Sequence, residues 1–144
     1  MQFIPLKNEI LYIQNYIEFE IIQTGDKLVL DFEIEGVNDN NLLIAPMLLI
    51  IFVENAFKYA KITRALKIFI SIKLHVKDGW IYFSIINSHD LFPQYLTESD
   101  ETSGVGLHHT LKRLRLIYGE DYDYKSSQEN GSYNVELSLK VISI

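Results

Sequence analysis

The sequence predicts a two-layer α/β sandwich, a mixed β-sheet covered on one face by three helices. Three observations carry that prediction. Stretches with helical spacing alternate with stretches of period two. Two hairpin signals, Asp78-Gly79 and Asn130-Gly131, join neighbouring strands. The order α, β, α, β, β, α, β, β lacks the strict βαβ alternation of a doubly wound nucleotide fold.

The first helix is read from Lys7 to Gln23. Ile10, Ile13, Ile17 and Ile21 recur at spacings of three and four and form one apolar stripe. Tyr12, Tyr16 and Phe19 form a second stripe on another face, read either as further core or as a surface for an upstream helical region. Gly25 is placed as the C-cap. Leu28 to Ile34 alternates apolar and polar residues as a half-buried strand does, and Gly36 to Asn41 is a loop.

Leu42 to Val53 is the longest apolar run, too short to span a bilayer and read as a buried helical segment. The second helix is placed from Pro46 to Ala60, with proline in its first turn, where the missing N–H costs nothing. Strands follow at Leu66–Val76 and Trp80–Ile86. From Asn87 to Ser103 the pattern is polar and aperiodic, the length of a functional lid. Gly104-Val-Gly-Leu then opens a third helix with the stripe Leu107, Leu111, Leu114 and Ile117 or Tyr118. Strands at Asp121–Ser127 and Tyr133–Ile142 complete the set.

One domain, residues 1–144, accounts for this organisation, since there is no linker, repeat or low-complexity tract. The composition is that of a folded chain, 48% hydrophobic and 22% charged. Net charge is −6, which argues against a global nucleic-acid footprint. Cysteine is absent, so disulfides, thiolate metal sites and cysteine nucleophiles are excluded, and a reducing cytosol is the simpler setting. The opening segment has no signal-peptide pattern, and its abrupt start suggests a piece of a longer protein.

Three features carry the chemistry. On the second helix Asn55, Lys58 and Tyr59 stand at i, i+3 and i+4 and share a face. An amide oxygen is a neutral ligand suited to Mg²⁺, a lysine is a point charge for phosphate, and a tyrosine offers a flat surface for a base. Taken alone, the bland account is an amphipathic helix with a Glu54–Lys58 pair. Second, Gly104 and Gly106 before Leu107 permit close backbone approach at a helix N-terminus, a site that accepts phosphate readily. Third, Asn87 closes a buried strand, either as a turn starter or as an amide presented to the edge of a base.

Pro5-Leu-Lys-Asn-Glu-Ile-Leu-Tyr-Ile, Val53-Glu-Asn-Ala-Phe-Lys-Tyr-Ala, Gly104-Val-Gly-Leu, Leu111-Lys-Arg-Leu-Arg-Leu-Ile-Tyr-Gly and Gly131-Ser-Tyr-Asn-Val-Glu-Leu occur in that order over nearly the whole chain. Together they resemble the ATP-binding domain of LytS-type sensor histidine kinases. The resemblance implies the Bergerat fold shared with gyrase-type ATPases, with ATP and Mg²⁺ as ligands. By position, Asn55 is similar to the family's Mg²⁺ ligand, Lys58 to its phosphate contact and Tyr59 to its adenine neighbour. Asn87 takes the place of the aspartate that accepts from the adenine amino group. Gly104 and Gly106, with Leu107, match the phosphate-holding glycine box, and Ser132 falls where a hydroxyl supports the adenine site.

The chain departs from that pattern in two places. Asn87-Ser-His-Asp-Leu replaces the family's Asp-x-Gly-x-Gly, so the acceptor loses its charge and the following loop its permissive hinge. His109 stands where the family has asparagine.

The position of a gyrase-type general base is Ile51, which cannot activate water, so phosphoryl transfer is favoured over hydrolysis. The resemblance implies a catalytic domain that offers the γ-phosphate to a histidine on an upstream dimerisation region. It further implies a response regulator as partner, a homodimer in the full-length protein, and a cytoplasmic placement beneath an inner-membrane sensor without membrane contact of its own. The alternative is a degenerate nucleotide-fold module that works through protein contacts. None of the four histidines lies in the family's acceptor setting, and His108 with His109 makes no metal pair because adjacent helical residues diverge.

Overall fold

The computed structural model describes residues 2–38, 41–62, 66–88 and 98–143, without the side chains of residues 98–105 and 143. Three helices, α1 (Leu6–Thr24), α2 (Leu48–Lys61) and α3 (Glu98–Tyr118), pack on one face of a five-stranded sheet. That sheet runs β2 (Leu28–Glu35), β4 (Ile68–Lys77), β5 (Trp80–Ser88), β7 (Ser132–Lys140), β6 (Tyr122–Glu129). It is mixed: β2 and β4 are parallel, joined through α2, and the other pairs are antiparallel. A small second sheet orders β1 (Ile4–Pro5), β3 (Leu42–Ile44) and β8 (Ile142–Ser143).

Period two puts the core on the helix side. Ile68, Ile70, Ile72 and Leu74 of β4, Ile81, Phe83 and Ile85 of β5, and Val135, Leu137 and Leu139 of β7 are buried, while Phe69, Lys73, His75 and Tyr82 face outward. Both hairpins turn through consecutive residues of positive φ, Asp78 and Gly79, then Asn130 and Gly131, the geometry that the right-handed strand twist favours. Gly36 is required for a different reason: a Cβ there would collide with the Val76 carbonyl.

Four expectations are corrected. Ile21 leaves the buried stripe of α1 and is half exposed; its neighbour Glu20 is the buried residue of that turn and pairs with Lys61 of α2. Residues 42–44 form a strand, because Ile4–Pro5 and Ile142–Ser143 reach them from both ends of the chain. Helix α2 begins at Leu48, after Met47 at φ 64°, so Pro46 precedes the helix and is not in its first turn.

The fourth correction concerns α3, which begins at Glu98 and carries Gly104 and Gly106 in its interior. The acidic run Glu98-Ser-Asp-Glu suits the positive end of a helix and extends it upstream of the glycines. Of the predicted lid, Asn87 and Ser88 therefore continue β5, residues 98–103 belong to α3, and residues 89–97 lie outside the described residues.

Candidate nucleotide site

Two cross-strand rows make a floor. Ile85 and Val135 face each other on β5 and β7, and one register step on, Asn87 faces Tyr133, which faces Gln128 of β6. Above them α2 presents Phe52, Asn55, Ala56 and Tyr59, spaced three, four and seven residues apart on one helical face. Leu107 of α3 closes a side. The cavity, open at one end, is about 200 Å³. Pockets that swallow a whole small molecule measure about 300–1,000 Å³, so this one takes a base-sized fragment and leaves the rest of a larger ligand outside.

Chemically the cavity is apolar with a few placed amides. Phe52 lies 6.4 Å from Phe83 and 5.8 Å from Tyr124, measured between ring centroids, and these rings back the wall. Burial pushes the Tyr124 hydroxyl up to about 12, so it is a neutral donor at any working pH. The rings of Tyr59 and Tyr133 stand 6.3 Å apart at 50°. Asn87 is 1% exposed, and its Nδ2 donates to the Ser88 carbonyl at 3.0 Å. Every described residue lining the cavity is uncharged.

Four of the residues singled out from the sequence therefore meet in one place: Asn55, Tyr59, Asn87 and Leu107. Lys58 is half buried on α2 but does not line the cavity. Ser132 sits at the β6–β7 turn, lines a separate hollow on the outer face of the sheet, and donates to the Glu129 carbonyl at 2.9 Å. Gly104 lies in α3. Gly106 is exposed, its carbonyl accepts from Thr110 Oγ1 at 3.1 Å, and a Cβ there would meet nothing within 4 Å. Packing within the described chain thus does not demand glycine at 106.

The sequence reading passed over Tyr133 and Gln128, whose signal was only their register opposite Asn87. It also missed how the roof is held. Glu9 of α1 is buried and accepts from the N–H of Met47 through Oε2 and of Leu49 and Ile50 through Oε1, at 3.1, 3.2 and 3.3 Å. A carboxylate from another helix thereby caps α2. Burial raises the Glu9 carboxyl above its ordinary value, while those N–H groups and the Arg113 charge pull the other way. Arg113 donates to the Pro46 carbonyl at 2.9 Å, and Tyr118 Oη accepts from the Ala45 N–H at 3.1 Å. Arg113 is therefore a tie between α3 and the segment that leads into α2 and no part of a solvated basic strip.

The donor set fits a nucleotide with one metal ion in part. Asn55 supplies a single neutral oxygen, and Mg²⁺ commonly takes most of its ligands from water and phosphate. Among the described residues no cluster of three or more His, Cys, Asp or Glu could hold a metal by itself.

No protein-family model matches the chain, and no curated protein matches it by sequence. Solved structures do match. The nucleotide-free catalytic domain of histidine kinase ThkA aligns over 97% of this chain and 96% of its own, with TM-score 0.65 and 18% identity. Full-length ShkA in complex with AMPPNP aligns over 100% of this chain and 32% of its own, with TM-score 0.69 and 13% identity. ThkA in complex with the response regulator TrrA aligns over 96% of this chain and 41% of its own, with TM-score 0.58 and 17% identity. The chain spans less than half of those last two proteins. Its fold is that of histidine kinase catalytic domains: three helices on a mixed five-stranded sheet.

Proposed function

We propose that this chain is the ATP-binding domain of a sensor histidine kinase of the LytS type, which binds ATP with Mg²⁺ between α2 and α3. The convergence of Asn55, Tyr59 and Asn87 on one apolar cavity is the observation that carries the reading. Bound ATP supplies the phosphoryl group; the chain supplies position. Asn55 Oδ1 is the metal ligand, Tyr59, Tyr133 and Leu107 are the surfaces against the base, and Asn87 addresses its edge. Gly104, Gly106 and Lys58 are assigned to the phosphates; Ser132, expected to support the adenine end, lies on the opposite face of the sheet and is left out of the site. Ile51 leaves the site without a base to activate water, which suits transfer to another group better than hydrolysis.

The acceptor is a histidine on an upstream dimerisation region of the same protein, with a response regulator downstream, as the ThkA–TrrA complex illustrates for that kinase. The exposed stripe of α1, Leu11, Tyr12, Phe19 and Ile22, is the face assigned to that region; Tyr16 by contrast packs edge-on against Phe57 at 5.7 Å. No helix among the described residues is long and apolar enough to cross a membrane, and a cytoplasmic place beneath a membrane sensor belongs to the same proposal.

Calorimetric titration with Mg²⁺-ATP tests the reading. Binding to the wild type that weakens in Asn55→Ala supports it. Equal affinity for both removes the metal assignment. Silence at millimolar ATP favours a second reading, a nucleotide-fold module that acts through protein contacts alone. One observation speaks for that alternative: Gly104 and Gly106 lie inside α3, where backbone N–H groups are engaged with carbonyls four residues back.

A further inference from the structure

Asn87, Tyr133 and Gln128 occupy directly opposed positions on three adjacent strands, so their side chains project from the same face of the sheet. The Cα positions of Asn87 and Gln128 are two strand spacings apart, about 9–10 Å along the row. Asn87 forms the closed end, buried and held by its bond to the Ser88 carbonyl. Gln128 forms the open end, exposed on the edge strand β6 and lining the mouth. Between them lies the Tyr133 ring, leaning toward Tyr59. The flanking surfaces, Ile85, Val135 and Leu107, are apolar. Along the sheet floor the slot thus offers a carboxamide at each end with the Tyr133 ring and aliphatic surface between them, while Asn55 and Tyr59 face it from the helix above.

We propose that Gln128 is a specificity-determining residue of this site, pairing with the far edge of a bicyclic purine whose near edge is addressed by Asn87. The proposal rests on the nucleotide reading above. A purine bridges the span with a hydrogen bond at each end; a single-ring pyrimidine reaches one end only. A carboxamide both donates and accepts, so Gln128 suits the edges of adenine and guanine alike. It separates purines from pyrimidines and contributes little to the choice between the two purines. One neutral hydrogen bond sets the size of the effect at roughly three- to tenfold in affinity.

The test is calorimetric titration of the full chain with ADP, GDP, CDP and UDP, for the wild type and for Gln128→Leu. Leucine removes the carboxamide and keeps an aliphatic side chain at an exposed edge position, and equal urea midpoints for the two proteins confirm an intact fold. The expected result is a wild-type preference for ADP and GDP over CDP and UDP. In Q128L both purine affinities fall about three- to tenfold and both pyrimidine affinities stay constant. An unchanged preference in Q128L, or an equal loss for all four nucleotides, overturns the proposal and leaves the nucleotide reading standing. Failure of the wild type to bind any of the four overturns the nucleotide reading itself, and the proposal with it.

Discussion

The two halves of α2 are built on opposite terms. At its N-terminal end other elements supply the partners: Glu9 takes three N–H groups, Tyr118 takes Ala45 N–H and Arg113 reaches the Pro46 carbonyl. The side chains there, Leu48, Leu49, Ile50, Phe52 and Val53, are almost wholly buried. One turn later Asn55 and Tyr59 face a hollow. The first half is a joint that fixes the helix; the second half spends that rigidity on holding an amide and a ring over empty space. Under the proposed function, stability and binding are separated along one helix, and the separation can be attacked from either end.

The largest effect is expected at the joint. Glu9→Ala orphans three N–H groups at once, offset by relief of a buried carboxylate, and should cost about 3 kcal/mol in urea unfolding. A loss below about 0.5 kcal/mol would show that the cap is ornamental. At the hollow end the pattern reverses. Asn55→Ala should leave the urea midpoint nearly unchanged and weaken Mg²⁺-dependent ATP affinity about tenfold, roughly one good charge-assisted contact; equal sensitivity of stability and binding would dissolve the contrast. Asn87→Leu tests the floor in the same assay, with weaker ADP binding expected in the absence of metal.

A pH series sharpens the comparison further. Burial holds the Glu9 carboxyl above its ordinary value. The folded state then binds the proton more tightly than the unfolded one. The contribution is fully present below the ordinary carboxylate value and is lost as pH rises through the folded one. Wild type should therefore lose stability relative to Glu9→Gln between mildly acidic and neutral pH; a difference that moves the other way would show that the N–H groups and Arg113 outweigh burial. The smallest effect belongs to the α1 surface: Phe19, 55% exposed, replaced by Ser should shift stability by no more than about 0.5 kcal/mol. A larger loss would mean that the ring is part of the core.

Legibility followed the range of the interaction. Helix α1, strands β2, β4, β5, β6 and β7 and both hairpins were readable because periodicity and turn residues are local. The 42–44 strand was not, since its partners are the two ends of the chain. Nor was the start of α2, where Glu9, thirty-eight residues from Met47, replaces the expected proline. At the site, Asn55 and Tyr59 announced themselves by spacing on one helix, whereas Tyr133 and Gln128 have no local signature and are recruited by strand register.

The amino-acid order alone determined which faces are apolar, where the chain turns and which amides and rings are on offer, because those follow from backbone periodicity and residue chemistry. Only the tertiary structure decided which of them share a cavity, which end of α2 is locked, and that the paired glycines fall within a helix. The first two of those outcomes depend on strand register and on long-range capping, and neither is encoded in any single window of the chain.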